Sequence, residues 1–168
     1  QTSSGVAVSD QEIGQAMSGV FAGFGAQAAA YQAPHILAGH FNVSGAQLST
    51  GQVMTGRDIE LSGDQLRLAD AELHLIGHIH KPQQLQGNIF YSGSIYAENF
   101  GELHPHGFYI HEVDSLSGVW DSRFIETPCK RLVRVTADLT PVLTEGEKTD
   151  LYYHGHDNNI AGATVRID

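Results

Sequence analysis

Gly77-His78-Ile79-His80 places two imidazoles two residues apart at the end of an apolar run, Leu73 to Ile76. On an extended chain alternate side chains point the same way, so these rings share one side. On a helix the same spacing would send them to nearly opposite faces. Two neutral imidazoles at a strand end can ligate one metal ion, or one member each of a close pair. Gly39-His40, ending a second apolar run from His35 to Ala38, offers a third imidazole in the same setting. Histidine is abundant, 10 in 168 residues, and that content alone gives roughly 0.6 His-x-His pairs by chance. His104-Pro105-His106 and His154-Gly155-His156 are two further pairs, but they lie in loop-like, polar sequence and read as solvated histidines. Context therefore singles out His40, His78 and His80.

The elements that must position these rings follow from pattern. Ser9-Asp10-Gln11-Glu12 is a capping box, a hydroxyl followed three residues later by a carboxylate. Beyond it Ile13, Met17, Val20, Phe21, Phe24 and Ala28 recur at helical spacing, which predicts an amphipathic helix over 10–31 with this stripe in the core. Pro34 then forces an extended approach to the strand from His35. Residues 41–56, rich in Gly, Ser, Thr, Asn and Gln, read as a long loop. A short strand over 57–61, a short helix over 62–69 capped by Ser62 or Asp64, and a strand over 72–76 complete the approach to the His-x-His. Lys81-Pro82 turns the chain away. Four strand-like runs follow, at 88–91, 107–113, 119–125 and 131–136, with a hairpin loop at 114–118. Thr127-Pro128 marks a boundary, which divides the chain into 1–127 and a smaller unit, 128–168, with a last strand at 163–167.

Composition bounds the function. Hydrophobic residues make up 41% and charged residues 17%, a folded rather than disordered balance in a chain long enough for one core. A net charge of −10 argues against a generic basic nucleic-acid binder. It leaves room for a nuclease in which bound cations or a partner subunit supply positive charge. The single Cys129 excludes an intrachain disulfide and points to a reducing compartment, read here as cytoplasmic. No apolar run approaches the roughly 18 residues of a membrane span, and the first residues lack the basic region of a signal peptide.

Taken in order, His35-Ile36-Leu37-Ala38-Gly39-His40-Phe41-Asn42-Val43-Ser44-Gly45, then Leu75-Ile76-Gly77-His78-Ile79-His80-Lys81-Pro82, Ile89-Phe90-Tyr91-Ser92-Gly93-Ser94, Phe100-Gly101-Glu102 and Gly107-Phe108-Tyr109-Ile110-His111-Glu112-Val113 carry a resemblance. This series resembles the second half of a calcineurin-like metallophosphoesterase domain, closest to the DNA-repair exonuclease branch of SbcD/Mre-type nuclease subunits. The likeness runs from about residue 10 to residue 136. It implies an α/β fold, part of a four-layer αββα sandwich of mixed sheets with flanking helices. The sandwich would trail into the start of a small DNA-capping domain or a terminal β extension. It implies that His40 and His78 ligate one of two divalent metal ions and His80 the other. Manganese is the usual metal of the family, sometimes magnesium or iron. It also implies DNA as substrate, an SbcC/Rad-type coiled-coil ATPase subunit as partner, and no membrane.

One departure is large. The family's Asp-x-His, Gly-Asp-x-x-Asp and Gly-Asn-His-Asp/Glu motifs do not occur in these 168 residues. The bridging aspartate and the catalytic histidine belong to those motifs, so no residue here is assigned as catalytic. The chain reads as the C-terminal portion of such an enzyme, inactive alone. Without the bridging carboxylate the three imidazoles suit zinc or nickel better than manganese, which prefers oxygen donors. A half-domain leaves an apolar face and a sheet edge open, which predicts a homodimer.

Other residues keep two readings. Lys81 can meet a phosphate or simply be solvated, and Asn42 and Ser44 can touch substrate or shape a turn. Glu98 and Glu102 can support ligands but read as exposed loop acids without a role. Trp120 can stack on a base but reads as sheet-face packing. Two other functions stay open: a phosphoesterase of the same fold acting on small phosphodiesters, and a non-catalytic binding or dimerisation module.

Overall fold

Asp10–Ala28 forms helix α1 in the computed structural model of the chain, which describes residues 10–49, 60–130, 132–135 and 164–167. The helix ends three residues before the predicted limit. Its last turn tightens as the Ala30 and Tyr31 N–H groups bond to carbonyls three residues back, ahead of Pro34. The buried stripe also differs from the prediction. Phe21 and Gly25 are buried and Met17 is partly buried, whereas Val20 and Phe24 are exposed. The rotation follows from where α1 touches its neighbour. A Cβ at Gly25 would run into the Leu68 carbonyl oxygen, so close backbone approach decides which face turns inward.

That neighbour is α2 (Gly63–Arg67), the predicted short helix. Ser62 is its cap: the Ser62 hydroxyl accepts from the Gln65 N–H at 3.2 Å, and the Gln65 side-chain oxygen accepts from the Ser62 N–H at 2.8 Å. The other end of the same amide donates to the Gly14 carbonyl (2.9 Å) and the Ser18 hydroxyl (3.0 Å) of α1. Gln65 therefore caps one helix and docks the other.

The strands make a four-stranded mixed sheet. β1 (Ile36–His40) pairs parallel with β4 (Leu73–Gly77), in register Ile36 with Leu73 through His40 with Gly77. Between them come β2 (Asn42–Val43) and β3 (Glu60–Leu61), a small parallel pair. The expected long loop after His40 thus begins with a short strand. β5 (Gln83–Leu85) and β6 (Ile89–Tyr91) form an antiparallel hairpin, and β6 also pairs parallel with β4, so the order is β1-β4-β6-β5. The sequence reading missed β5, because Gln83-Gln84 carries no apolar alternation. Its turn is local: Gln86 (φ 37°) and Gly87 (φ 83°) take left-handed conformations.

Register decides the layers. His74 lies opposite Ile89, Leu75 opposite Phe90 and Ile76 opposite Tyr91. Ile76, Ile89 and Tyr91 join the core with Phe21, Leu66 and Ala69 from the helical side. Phe90 points the other way and meets the rings of Tyr109, His111 and Trp120 at 5.2, 4.9 and 5.6 Å. Those rings belong to the hairpin β7 (Gly107–Val113) and β8 (Trp120–Glu126), paired from Gly107–Glu126 to Val113–Trp120. Trp120 is sheet-face packing, as read. Asp114 organises the hairpin turn, its carboxylate accepting from the Leu116 and Ser117 N–H groups and the Ser117 hydroxyl. β9 (Leu132–Val135) and β10 (Thr164–Ile167) form a separate parallel pair.

The described residues are thus mixed α/β, layered as helices, sheet and hairpin. Ser9, the 57–59 part of the predicted strand, the polar segment 140–159 and the His154/His156 pair lie outside them. Among the described residues no helix is long and apolar enough to cross a membrane. β1 is an edge of the sheet, and Ile36 on it is 53% exposed.

The helix contact yields a paired prediction. Gly25→Ala should destabilise by about 1 kcal/mol or more, because the new methyl meets fixed backbone. Gly23→Ala, with nothing within 4 Å, should stabilise by about 0.5–1 kcal/mol through helix propensity. Urea midpoints of the two variants will show the opposite signs.

Candidate functional site

His40 ends β1 and His78 directly follows β4, so parallel pairing delivers both to one end of the sheet. Their rings meet edge to face, centroids 5.3 Å apart and planes at 80°. Two glycines make room. A Cβ at Gly77 would lie 2.7 Å from Nδ1 of His40, and one at Gly39 would strike the Phe41 ring. His78 itself has φ 100°, a backbone state that strains any residue with a side chain. Such strain costs of order 1–3 kcal/mol and persists only where the surroundings enforce it. Here the enforcement comes from buried Ile76 and Ile79 on either side. Tyr91 adds a tie from below, its hydroxyl donating to the Phe41 carbonyl at 2.8 Å, next to His40. Burial pushes the Tyr91 phenol up to about 12, so it remains a donor.

His80 makes different contacts. Its Nδ1 lies 3.1 Å from Oε1 of Glu102 and 3.7 Å from Oε2 of Glu98. Glu102 is only 4% exposed, which corrects the reading of it as an exposed loop acid. It accepts from the Glu98 N–H (2.9 Å) and the Asn99 amide (2.8 Å) as well. Burial raises the Glu102 carboxyl, but the Glu98 N–H and His80 outweigh it and hold the group below its usual range. His78, His80, Asn99 and Glu102 line one open groove with Leu48 and Ser49.

The second His-x-His pair is also unlike its reading as solvated loop. His106 is buried, with Nδ1 3.0 Å from the Ser94 hydroxyl, and Nε2 of His104 bonds to the His80 carbonyl at 3.1 Å. Their proximity to His80 in space left no mark in the sequence, since Pro105 between them suggests only a loop. His74, never singled out, is 1% exposed and donates from Nε2 to the Leu66 carbonyl at 3.0 Å, joining β4 to α2.

The expected substrate contacts fare unevenly. Asn42 is 5% exposed, its side-chain oxygen without a partner among the described residues, so it is closed off from a substrate. Ser44 is half-buried and its N–H bonds to the Leu61 carbonyl. The Lys81 ammonium donates to the Gln47 side chain at 2.8 Å, within a surface lattice that also joins Gln47 to Gln83.

Three imidazoles were expected to converge, and the structure brings two into ring contact while the third turns to carboxylates. Among the described residues no three His, Cys, Asp or Glu side chains are grouped so as to hold a metal ion. Two nitrogen donors without an oxygen donor between them do not fit a manganese pair. These residues fit the imidazole part of a site and not a whole one. Compared with family models and with curated proteins, the chain matches none.

Burial of histidines sets a pH response. Desolvation lowers the pKa of His74, His104 and His111 below the ordinary 6.5. The unfolded chain then binds more protons than the folded one once pH drops below 6.5, so stability is full above that value and declines as pH falls. Glu102, also lowered, extends the decline below 4.5. The urea midpoint should therefore be lower at pH 5.5 than at pH 7.5. His74→Gln keeps a donor for Leu66 and removes one titrating ring, so it should flatten that slope; an unchanged slope would remove His74 from the account.

Proposed function

We propose that this chain is the C-terminal portion of a metallophosphoesterase domain of the DNA-repair exonuclease branch, whose complete form hydrolyses phosphodiesters with two divalent cations, manganese in the usual case. One observation carries the reading: His40 and His78 meet at the C-terminal ends of adjacent parallel strands, His78 in a strained backbone state. Ligands of open α/β sheets bind outside those strand ends, and strained residues concentrate at functional sites. The helix–sheet–hairpin layering is compatible with part of the four-layer sandwich. The exposed β1 edge would be covered by the remaining strands or by a second copy.

The division of labour follows from the residues. His40 and His78 would supply nitrogen donors, and Gly77 lets the first ring lie against β4. Glu102 orients His80. Oxygen donors and the group that protonates the leaving oxygen come from the motifs these 168 residues lack. Cations held by the complete site would supply Lewis acidity and lower the pKa of bound water. DNA is the proposed substrate, and with a net charge of −10 its approach depends on those cations and on an SbcC/Rad-type ATPase partner.

The test joins this chain to a segment carrying the three absent motifs and measures manganese-dependent nuclease turnover. His78→Ala should lower kcat/KM by about a hundredfold or more, at least what losing a ligand's supporting partner costs. Equal turnover in both proteins would refute the assignment. The 168-residue chain alone should show no manganese-dependent cleavage.

A further inference from the structure

We propose that Glu102 is the positioning residue of His80: its buried carboxylate holds the proton on Nδ1 and leaves Nε2, with its lone pair, for the groove that His78 also lines. A carboxylate buried to this degree must be matched by donors. Three are present, the Glu98 N–H, the Asn99 amide and Nδ1 of His80, at 2.9, 2.8 and 3.1 Å. An ionised carboxylate only accepts hydrogen bonds, so the proton between Glu102 and His80 belongs to the ring. Glu98, 3.7 Å from the same nitrogen, favours the same arrangement. The tautomer so selected is the less populated one of a free histidine side chain in water. The ring's hydrogen bond to Glu102 runs through Nδ1, and the His80 side chain is 40% exposed.

The same segment also grips the backbone. The His80 carbonyl accepts from the Ser94 N–H at 3.0 Å and from Nε2 of His104 at 3.1 Å. Residues 94–104 therefore fix His80 at both ends, ring and main chain. A histidine held this way presents one nitrogen in one direction, as a ligand or a proton acceptor must. Its use in phosphodiester hydrolysis rests on the function proposed above, but the tautomer does not.

Long-range nitrogen–proton correlation spectra of the uniformly nitrogen-15-labelled chain at pH 8 test this directly. His80 should show a protonated Nδ1 and a bare Nε2. In Glu102→Gln the amide accepts through one oxygen only and cannot serve three donors, so His80 should move toward protonated Nε2. His74, which donates from Nε2 to Leu66, should keep its pattern and report that the fold is intact. A protonated Nε2 on His80 in the unaltered chain, or an unchanged tautomer in a folded Glu102→Gln, would overturn the proposal. If the variant loses the His74 pattern, the spectrum of the unaltered chain decides. The predicted tautomer in a protein whose nuclease activity ignores His78→Ala would sink the functional reading and leave this one standing.

Discussion

Parallel pairing of β1 with β4 is the constraint on which the site depends. His40 lies opposite Gly77, so the ring at the end of one strand meets the ring that follows the other. Side chains alternate along a strand, and a slip of one residue would turn His40 to the opposite face. The register is held by burial on both sides of the neighbouring strands: Ile76, Ile89 and Tyr91 pack toward the helices, and Phe90 packs toward the β7–β8 hairpin. Burying such side chains contributes roughly 1.5–3 kcal/mol each, far more than the contact between two exposed imidazoles. The site is therefore a consequence of the core, and its geometry does not have to stabilise itself.

Histidine does three kinds of work in this fold. His74 is a strut inside the core, bonded to the Leu66 carbonyl. His40 and His78 are exposed at the strand ends, ring against ring. His80, His104 and His106 form a polar layer: His80 bonds to the buried Glu102 carboxylate, His106 to the Glu102 main-chain carbonyl and His104 to the His80 carbonyl. That layer carries a cost, because a buried charge with too few donors would destabilise the fold. Full satisfaction of Glu102 turns the cost into rigidity at the residue next to the groove.

Much of the path to the site was legible. Ser62 as a helix cap, Pro34 before a strand, the apolar runs into His40 and His78, and the Asp114 turn all act within a few residues, and the structure follows them within one or two positions at most ends. Less local features were not. The inward face of α1 is decided by Gly25 against Leu68, a contact more than forty residues apart, so the apolar stripe alone misjudged Val20 and Phe24. β5 has no apolar signature and exists because β6 offers it a partner.

The sequence by itself determined that two Gly-His strand ends exist, and that their side chains are imidazoles on extended chain, because alternation and turn chemistry are local. Tertiary structure alone decided that His40 meets His78 while His80 turns to Glu102, and that Glu102 is buried rather than solvated. The physical reason is that strand register and burial are set by residues distant in the chain. A glutamate in a loop looks the same in sequence whether it faces water or three hydrogen-bond donors.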